Sequence, residues 1–170
     1  MPQGAPRADK KLDSEVVTEL SRKAISKGLN VRLKADGISM FPYIWPREMV
    51  TFRPMGKDEE PRDGSMLVID RGPGFEFLLH RKTGRQGDKL ITRGDSVEHD
   101  DTPWRRDQVL GVVTHVEGRF TRKRRRVPDR GGMYWMALRA AAPLSYKVNG
   151  IVARCAILVM RALRCLTGRR

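Results

Sequence analysis

The sequence predicts a mainly β fold, α+β overall: a coiled β-sheet core between an N-terminal helix and C-terminal amphipathic helices. Three observations carry this expectation. Six or seven short β-rich runs lie between Val31 and Phe120, each closed by Gly, Pro or Asp. No helical period separates them, so the crossover helices that a parallel sheet needs are missing. A coiled sheet or partly open barrel fits that pattern. The segments on either side keep helical spacing instead.

Taken in order, residues 1–12 read as a polar leader. "DSEVVTELSRKAISKGLN" then follows an amphipathic helical period, with Val16, Val17, Leu20, Ala24 and Ile25 on one stripe. Asp13 or Ser14 suits its N-cap, and Gly28 suits its C-terminal turn. The β-rich runs come next: "VRLKADG", "EMVTFRP", "SMLVID", "FEFLLHRK", "KLITRGD" and "QVLGVVTHVEGRF". "RFTRKRRRVPDRGG" has the composition of a linker, and "MYWMALRAAAPL" reads as a short helix ended by Pro143. In "YKVNGIVARCAILVMRALRCLTGRR" the apolar residues from Val148 to Leu166 share a stripe that excludes Arg154, Arg161 and Arg164. The expected division is a leader and helix over 1–28, a core over 29–120, and a basic linker with a helical tail over 121–170.

At 170 residues, with 39% hydrophobic and 32% charged residues, the chain can bury the core of one domain with an appendage. The N-terminus holds no apolar secretory segment, and no uncharged apolar run approaches the ~20 residues of a spanning helix. Cys155 and Cys165 sit in an apolar helical pattern, which favours buried or free thiols over a bridge. A cytoplasmic protein is the expectation. The net charge of +14 is concentrated: residues 119–170 carry 14 Lys or Arg against one acid, Asp129, leaving the rest near +1. Such a tail suits an anionic partner, and peripheral contact with the inner face of an anionic membrane is the partner expected. Nucleic acid is disfavoured, because no aromatic residues interleave "RKRRR" to stack on bases.

"KADGISMFPYIWPRE" places Ser39 between Gly37 and a Met-Phe-Pro triplet. A serine hydroxyl attacks a carbonyl once a base takes its proton and an oxyanion hole receives the charge. Gly37 permits a tight turn there, Pro42 stiffens the segment, and the N–H of Ser39 or Met40 can donate to an oxyanion. A serine in such a turn is most often a plain surface hydroxyl, so its partners decide. Four residues can serve as base: His80 at the end of an apolar strand, His99 in an acidic loop, His115 in a strand, and Lys82 in a turn-like "HRKTG" where it looks solvated. "ITRGDSVEHDDTPW" gathers Asp95, Asp100 and Asp101 within seven residues, enough carboxylate to orient an imidazole. Its spacing does not match an EF-hand, and no Cys/His constellation accompanies it, so no metal and no cofactor is expected.

In this order, "GISMFPYI", "DGSMLVI", "LLHRK", "ITRGDSVEHDD" and "VLGVVTHV" resemble the signal-peptidase and LexA-like serine peptidases over residues 29–120. The resemblance implies a LexA/signal-peptidase-like core and a serine endopeptidase acting on a peptide or protein precursor. It gives Ser39 as nucleophile. "LLHRK" is similar to the His-Arg of the endoplasmic-reticulum and archaeal branch, which gives His80 as base. The same branch implies Asp101 as the acid holding the imidazole, with Asp95 in support. Gly37, Met40 and Pro42 would border the oxyanion and substrate site. The chain departs from the pattern in lacking a membrane anchor, in reading "DGS" where Gly-Asp is usual, and in a helix too short and polar for a DNA-binding domain. A catalytically inactive peptide-binding or regulatory module on the same fold is the alternative. Ser65, the second Ser-Met pair, lacks the following Pro and reads as an echo.

Overall fold

The computed structural model describes residues 7–73, 75–119 and 123–127, with side chains from Glu15 onward. The expected C-terminal helices, and with them Cys155 and Cys165, lie outside the described residues. Helix α1 spans Arg7–Ser26, beginning well before the expected caps at Asp13 and Ser14. It is followed by β1 (Val31–Lys34), β2 (Met49–Pro54), β3 (Met66–Ile69), β4 (Leu78–Gln86), β5 (Lys89–Arg93), β6 (Val109–Glu117) and β7 (Arg124–Arg126). The described part is thus mainly β, one antiparallel seven-stranded sheet and a single helix.

α1 ends where Gly28 takes φ +75°. Leu29 N–H donates to the Ala24 carbonyl at 3.1 Å and Gly28 N–H to that of Ile25 at 2.9 Å, the pair of bonds that closes a Schellman turn. The helix docks through Ala24 and Ile25, which pack on the core, and through Arg22, whose guanidinium meets both oxygens of Asp70 at 2.7 Å. Hydrogen bonding from Arg22 holds the Asp70 carboxyl below its ordinary range, against the opposing effect of burial. The N-terminal part of the expected stripe does not face the core. Val16, Val17 and Leu20 are 54%, 48% and 60% exposed, while Thr18 and Ser21 are buried.

The strand order is β1-β2-β6-β3-β4-β5, with β7 on β6. Strand β6 is long enough to hold β2 along one edge, while its other edge pairs with β3 near Val112 and with β7 at His115–Glu117. Strand β3, "MLVI", is buried on both faces. Its period-two alternation sends Met66 and Val68 into one core, with Phe52, Ile44 and Val116, and Leu67 and Ile69 into a second, with Leu90 and Val112. Each such side chain contributes roughly 1.5–3 kcal/mol on burial. Register shifts at Thr51/Phe52, Val68/Ile69 and Lys82/Gly84 bend the strands locally. Gly111 lets β2 approach β6, since a Cβ there would stand 2.2 Å from the Arg53 carbonyl oxygen.

The basic run read as a linker is partly structural. Arg124–Arg126 form β7, and Val127 is buried in the first core, so the sheet runs past the expected boundary at residue 120. Arg125 anchors this strand by donating to Glu48 Oε2 at 2.9 Å and to the Tyr43 carbonyl, while Arg124 and Arg126 remain exposed. Among the described residues, no helix is long and apolar enough to cross a membrane.

Candidate active site

Three chain segments converge on one point. The first is the loop between β1 and β2, which carries Ser39. It is closed at its neck by Ala35 N–H donating to the Glu48 carbonyl at 2.9 Å. Its apolar residues Met40, Phe41 and Ile44 turn inward and are almost fully buried, so the loop is held as part of the core. The second segment is β4, whose His80 pairs with Leu67 of β3. The third is the turn after β5, from Gly94 to Asp101.

That turn grips the serine loop. Ser96 N–H donates to the Ser39 carbonyl at 2.9 Å, and Ser96 Oγ donates to the Ile38 carbonyl at 2.7 Å. Gly94 makes the closeness possible. A Cβ on it would lie 2.6 Å from the Ser39 carbonyl oxygen, 2.8 Å from Val97 Cγ2 and 3.0 Å from His80 Nε2. The Ser39 backbone and the His80 ring therefore face the same point, no farther apart than the sum of the first and last distances. Ser39 itself is half-buried, and its Oγ makes no hydrogen bond among the described residues.

His80 is 5% exposed. Its Nδ1 lies 2.6 Å from Asp101 Oδ2, and the same oxygen accepts from Thr92 Oγ1 at 2.6 Å. Burial pushes the Asp101 carboxyl up, but hydrogen bonds from His80 and Thr92, and the charge the imidazole carries when protonated, outweigh it and hold the group below its ordinary range. An ionised carboxylate can only accept, so Nδ1 carries the proton and a neutral ring keeps its lone pair on Nε2. Nε2 is buried and has no hydrogen-bond partner among the described residues. The N–H groups of Ser39 and Met40 likewise meet no acceptor among those residues.

The other expected participants make no hydrogen bond to His80 or Asp101 among the described residues. Asp95 is turned to Arg81, which reaches its two oxygens at 2.8 and 2.7 Å and also donates to the Gly64 carbonyl. Met40 sits within the core at 3% exposure, Pro42 is half-buried, and Gly37 is exposed. Lys82 is not the solvated side chain its "HRKTG" context suggests. It is 4% exposed, its ammonium donates to Glu60 Oε1 and the Pro61 carbonyl at 3.0 and 2.8 Å, and it forms an ion pair with Asp63 Oδ1 at 3.1 Å. The reason is local: Thr83-Gly84 is a bulge inside β4, and the chain reverses later, at Gly87-Asp88. Two carboxylates thus offset the buried charge, and two of the three ammonium hydrogens have acceptors.

His99 is exposed in the acidic turn, and His115 lies on β6 between Thr51 of β2 and Arg126 of β7. Desolvation and the charges of Arg124 and Arg126 hold the His115 imidazole below its ordinary value. Ser65 is buried in the turn before β3, where its carbonyl accepts from Lys82 N–H. Asp100 is engaged by Thr83 at 3.1 Å. Sequence reasoning passes over Thr92 and Trp104 around Asp101, and Ser96 beside Ser39. Only "ITRGDSV" and "TPW", read as neighbours of a catalytic acid, could have pointed to them. Among the described residues no group of His, Cys, Asp and Glu is placed to hold a metal.

Comparison with known proteins finds no matching family model, no matching curated protein and no matching solved structure.

Proposed function

We propose that the chain is a serine endopeptidase that cuts a peptide or protein precursor, with Ser39 as nucleophile, His80 as general base and Asp101 as the acid that orients it. One observation carries this reading. A buried imidazole is held at Nδ1 by a carboxylate, and its unpartnered Nε2 faces the backbone of Ser39 across Gly94. A buried polar atom without a partner costs about 1–3 kcal/mol, which a fold tolerates where chemistry uses the atom.

In the proposed reaction Ser39 Oγ swings toward Nε2, gives up its proton and attacks the peptide carbonyl. In this reading the N–H groups of Ser39 and Met40, which meet no acceptor among the described residues, are the donors to the oxyanion. The imidazolium returns its proton to the leaving amine, and the acyl-enzyme ester forms on Ser39. Water then attacks the ester with His80 again as base, releasing the acid and the free serine. Asp95, paired with Arg81, supports the turn that carries Asp101 and takes no part in proton transfer.

A second reading is favoured by the undocked serine: Ser39 Oγ makes no bond to His80, as in a peptide-binding module on the same fold. Covalent labelling with a fluorophosphonate probe, followed by peptide mapping and a peptide-library digest, separates the two. The peptidase reading expects label on Ser39, loss of label and of cleavage in Ser39→Ala, and a fall on the order of a thousandfold in His80→Ala. Lys82→Met should still label. Absence of Ser39-dependent labelling and cleavage in a folded protein would overturn it in favour of the module.

A further inference from the structure

The hydrogen bonds around Asp101 do not stop at His80. Thr92 is fully buried on β5 and places Oγ1 at 2.6 Å from Asp101 Oδ2. Behind it, Trp104 Nε1 lies 3.0 Å from the same Oγ1. The direction of every bond in this chain is determined. An indole N–H can only donate, so Thr92 Oγ1 accepts from Trp104. The single hydroxyl hydrogen of Thr92 is then left for Asp101, which as a carboxylate can only accept. The Asp101 oxygen takes that hydrogen and the one on His80 Nδ1. The polarity runs Trp104 to Thr92 to Asp101, meets His80 from the other side, and leaves Nε2 as the basic nitrogen.

The backbone clamps the same residues. Asp101 N–H donates to the Thr92 carbonyl at 2.8 Å, and Trp104 exchanges two bonds with Leu90, at 2.9 and 2.8 Å. Residues 101–104 are therefore laid along the outer edge of β5 as a short extra rung. The Trp104 ring packs on the second core, beside Leu67, Ile69, Leu90, Val109 and Val112. A rigid apolar cluster thus ends in a donor, and that donor sets the orientation of the hydroxyl on which the acid rests.

We propose that Thr92 and Trp104 are positioning residues that fix the Asp101 carboxylate and, through it, the tautomer and basicity of His80. The inference rests on the peptidase reading of Ser39, His80 and Asp101, although its first test does not need activity. Thr92→Val keeps the shape and removes the hydroxyl. The carboxylate, having lost one donor, pulls harder on Nδ1–H and stabilises the imidazolium. The free base then appears at higher pH.

The experiment is a ¹H–¹⁵N NMR titration of the His80 ring in the full chain, run beside the pH profile of fluorophosphonate labelling at Ser39. For Thr92→Val the expected results are an altered Nδ1 proton resonance, a His80 midpoint moved to higher pH, and plateau labelling down by about fivefold. Thr92→Ser restores all three. Trp104→Phe, which keeps the hydroxyl but frees its rotor, gives a smaller shift in the same direction. An unmoved His80 resonance and midpoint in folded Thr92→Val and Trp104→Phe would overturn the proposal. If wild-type Ser39 takes no label at any pH, the peptidase reading falls, and the NMR titration still decides the relay.

Discussion

The Arg81 guanidinium grips both oxygens of Asp95, at 2.8 and 2.7 Å, one residue along β4 from His80. Both side chains are under 10% exposed, so the pair is held out of water. It joins β4 to the turn beginning at Gly94, and its stability bears on where Asp101 is presented.

Removing one member should therefore cost more than the pair itself is worth. Asp95→Asn leaves a buried guanidinium without its counter-charge, for which about 3–5 kcal/mol is the expected loss. Urea unfolding midpoints measure it. Arg81→Met combined with Asp95→Leu should recover most of that loss, because two apolar side chains replace two buried charges. A loss below about 1 kcal/mol in Asp95→Asn would place the pair in water instead.

Acid should act through Asp101. In the unfolded chain this carboxyl titrates near its ordinary value of about 3.9, whereas hydrogen bonds from His80 and Thr92 hold it lower in the fold despite burial. The folded state thus binds fewer protons. Its contribution is complete above the unfolded value and is lost as pH falls through the folded one. The stability gap between wild type and Asp101→Asn should narrow as pH drops below about 4. Denaturant titrations on either side of that value check it, and a gap that widened in acid would refute the assignment.

Gly94→Ala should separate the serine from the histidine. Its Cβ meets backbone at the Ser39 carbonyl oxygen, where nothing flexible can yield, as well as Val97 and His80 Nε2. A destabilisation of about 1–3 kcal/mol is expected, together with loss of Ser39 labelling well beyond what the stability change explains. Labelling at the wild-type rate would mean the three segments adjust independently.

The outward side of α1 makes a contrasting case. Leu20 is 60% exposed, so Leu20→Gln should change stability by no more than about 0.5 kcal/mol. Ile25 packs on the first core and should cost roughly 1–2 kcal/mol as Ile25→Ala. Thermal unfolding of the two variants ranks them.

The strands were legible because period-two alternation and turn residues are local properties. Each of the six β-rich runs contains a strand, and Gly28 marks the end of the helix by its freedom at positive φ. Where local signals are ambiguous the reading fails. Thr83-Gly84 looks like a turn and is a bulge, which carries Lys82 from expected solvent into a buried site between two carboxylates and the Pro61 carbonyl. The arginines at 124–126 look like a linker and form a strand, because an edge ladder needs backbone groups from its partner and tolerates any side chain that can point outward. The apolar stripe of α1 states that the helix has a face, while the partner that face meets is not written in its own period.

Sequence alone determined the order of chemical groups along the chain: a serine in a Gly-Pro turn, a histidine closing an apolar strand, and three aspartates in one loop. Tertiary structure decided how they are partnered. Asp101 rather than Asp95 reaches His80, because Arg81, adjacent on the same strand, takes Asp95. The Ser39 carbonyl and His80 Nε2 both close on Gly94 because it has no side chain to keep them apart. The orientation of Asp101 depends on Thr92 and on Trp104, whose side chain is set by the second core. Hydrogen-bond partnership depends on angstroms between segments far apart in the chain, and no local pattern encodes that distance.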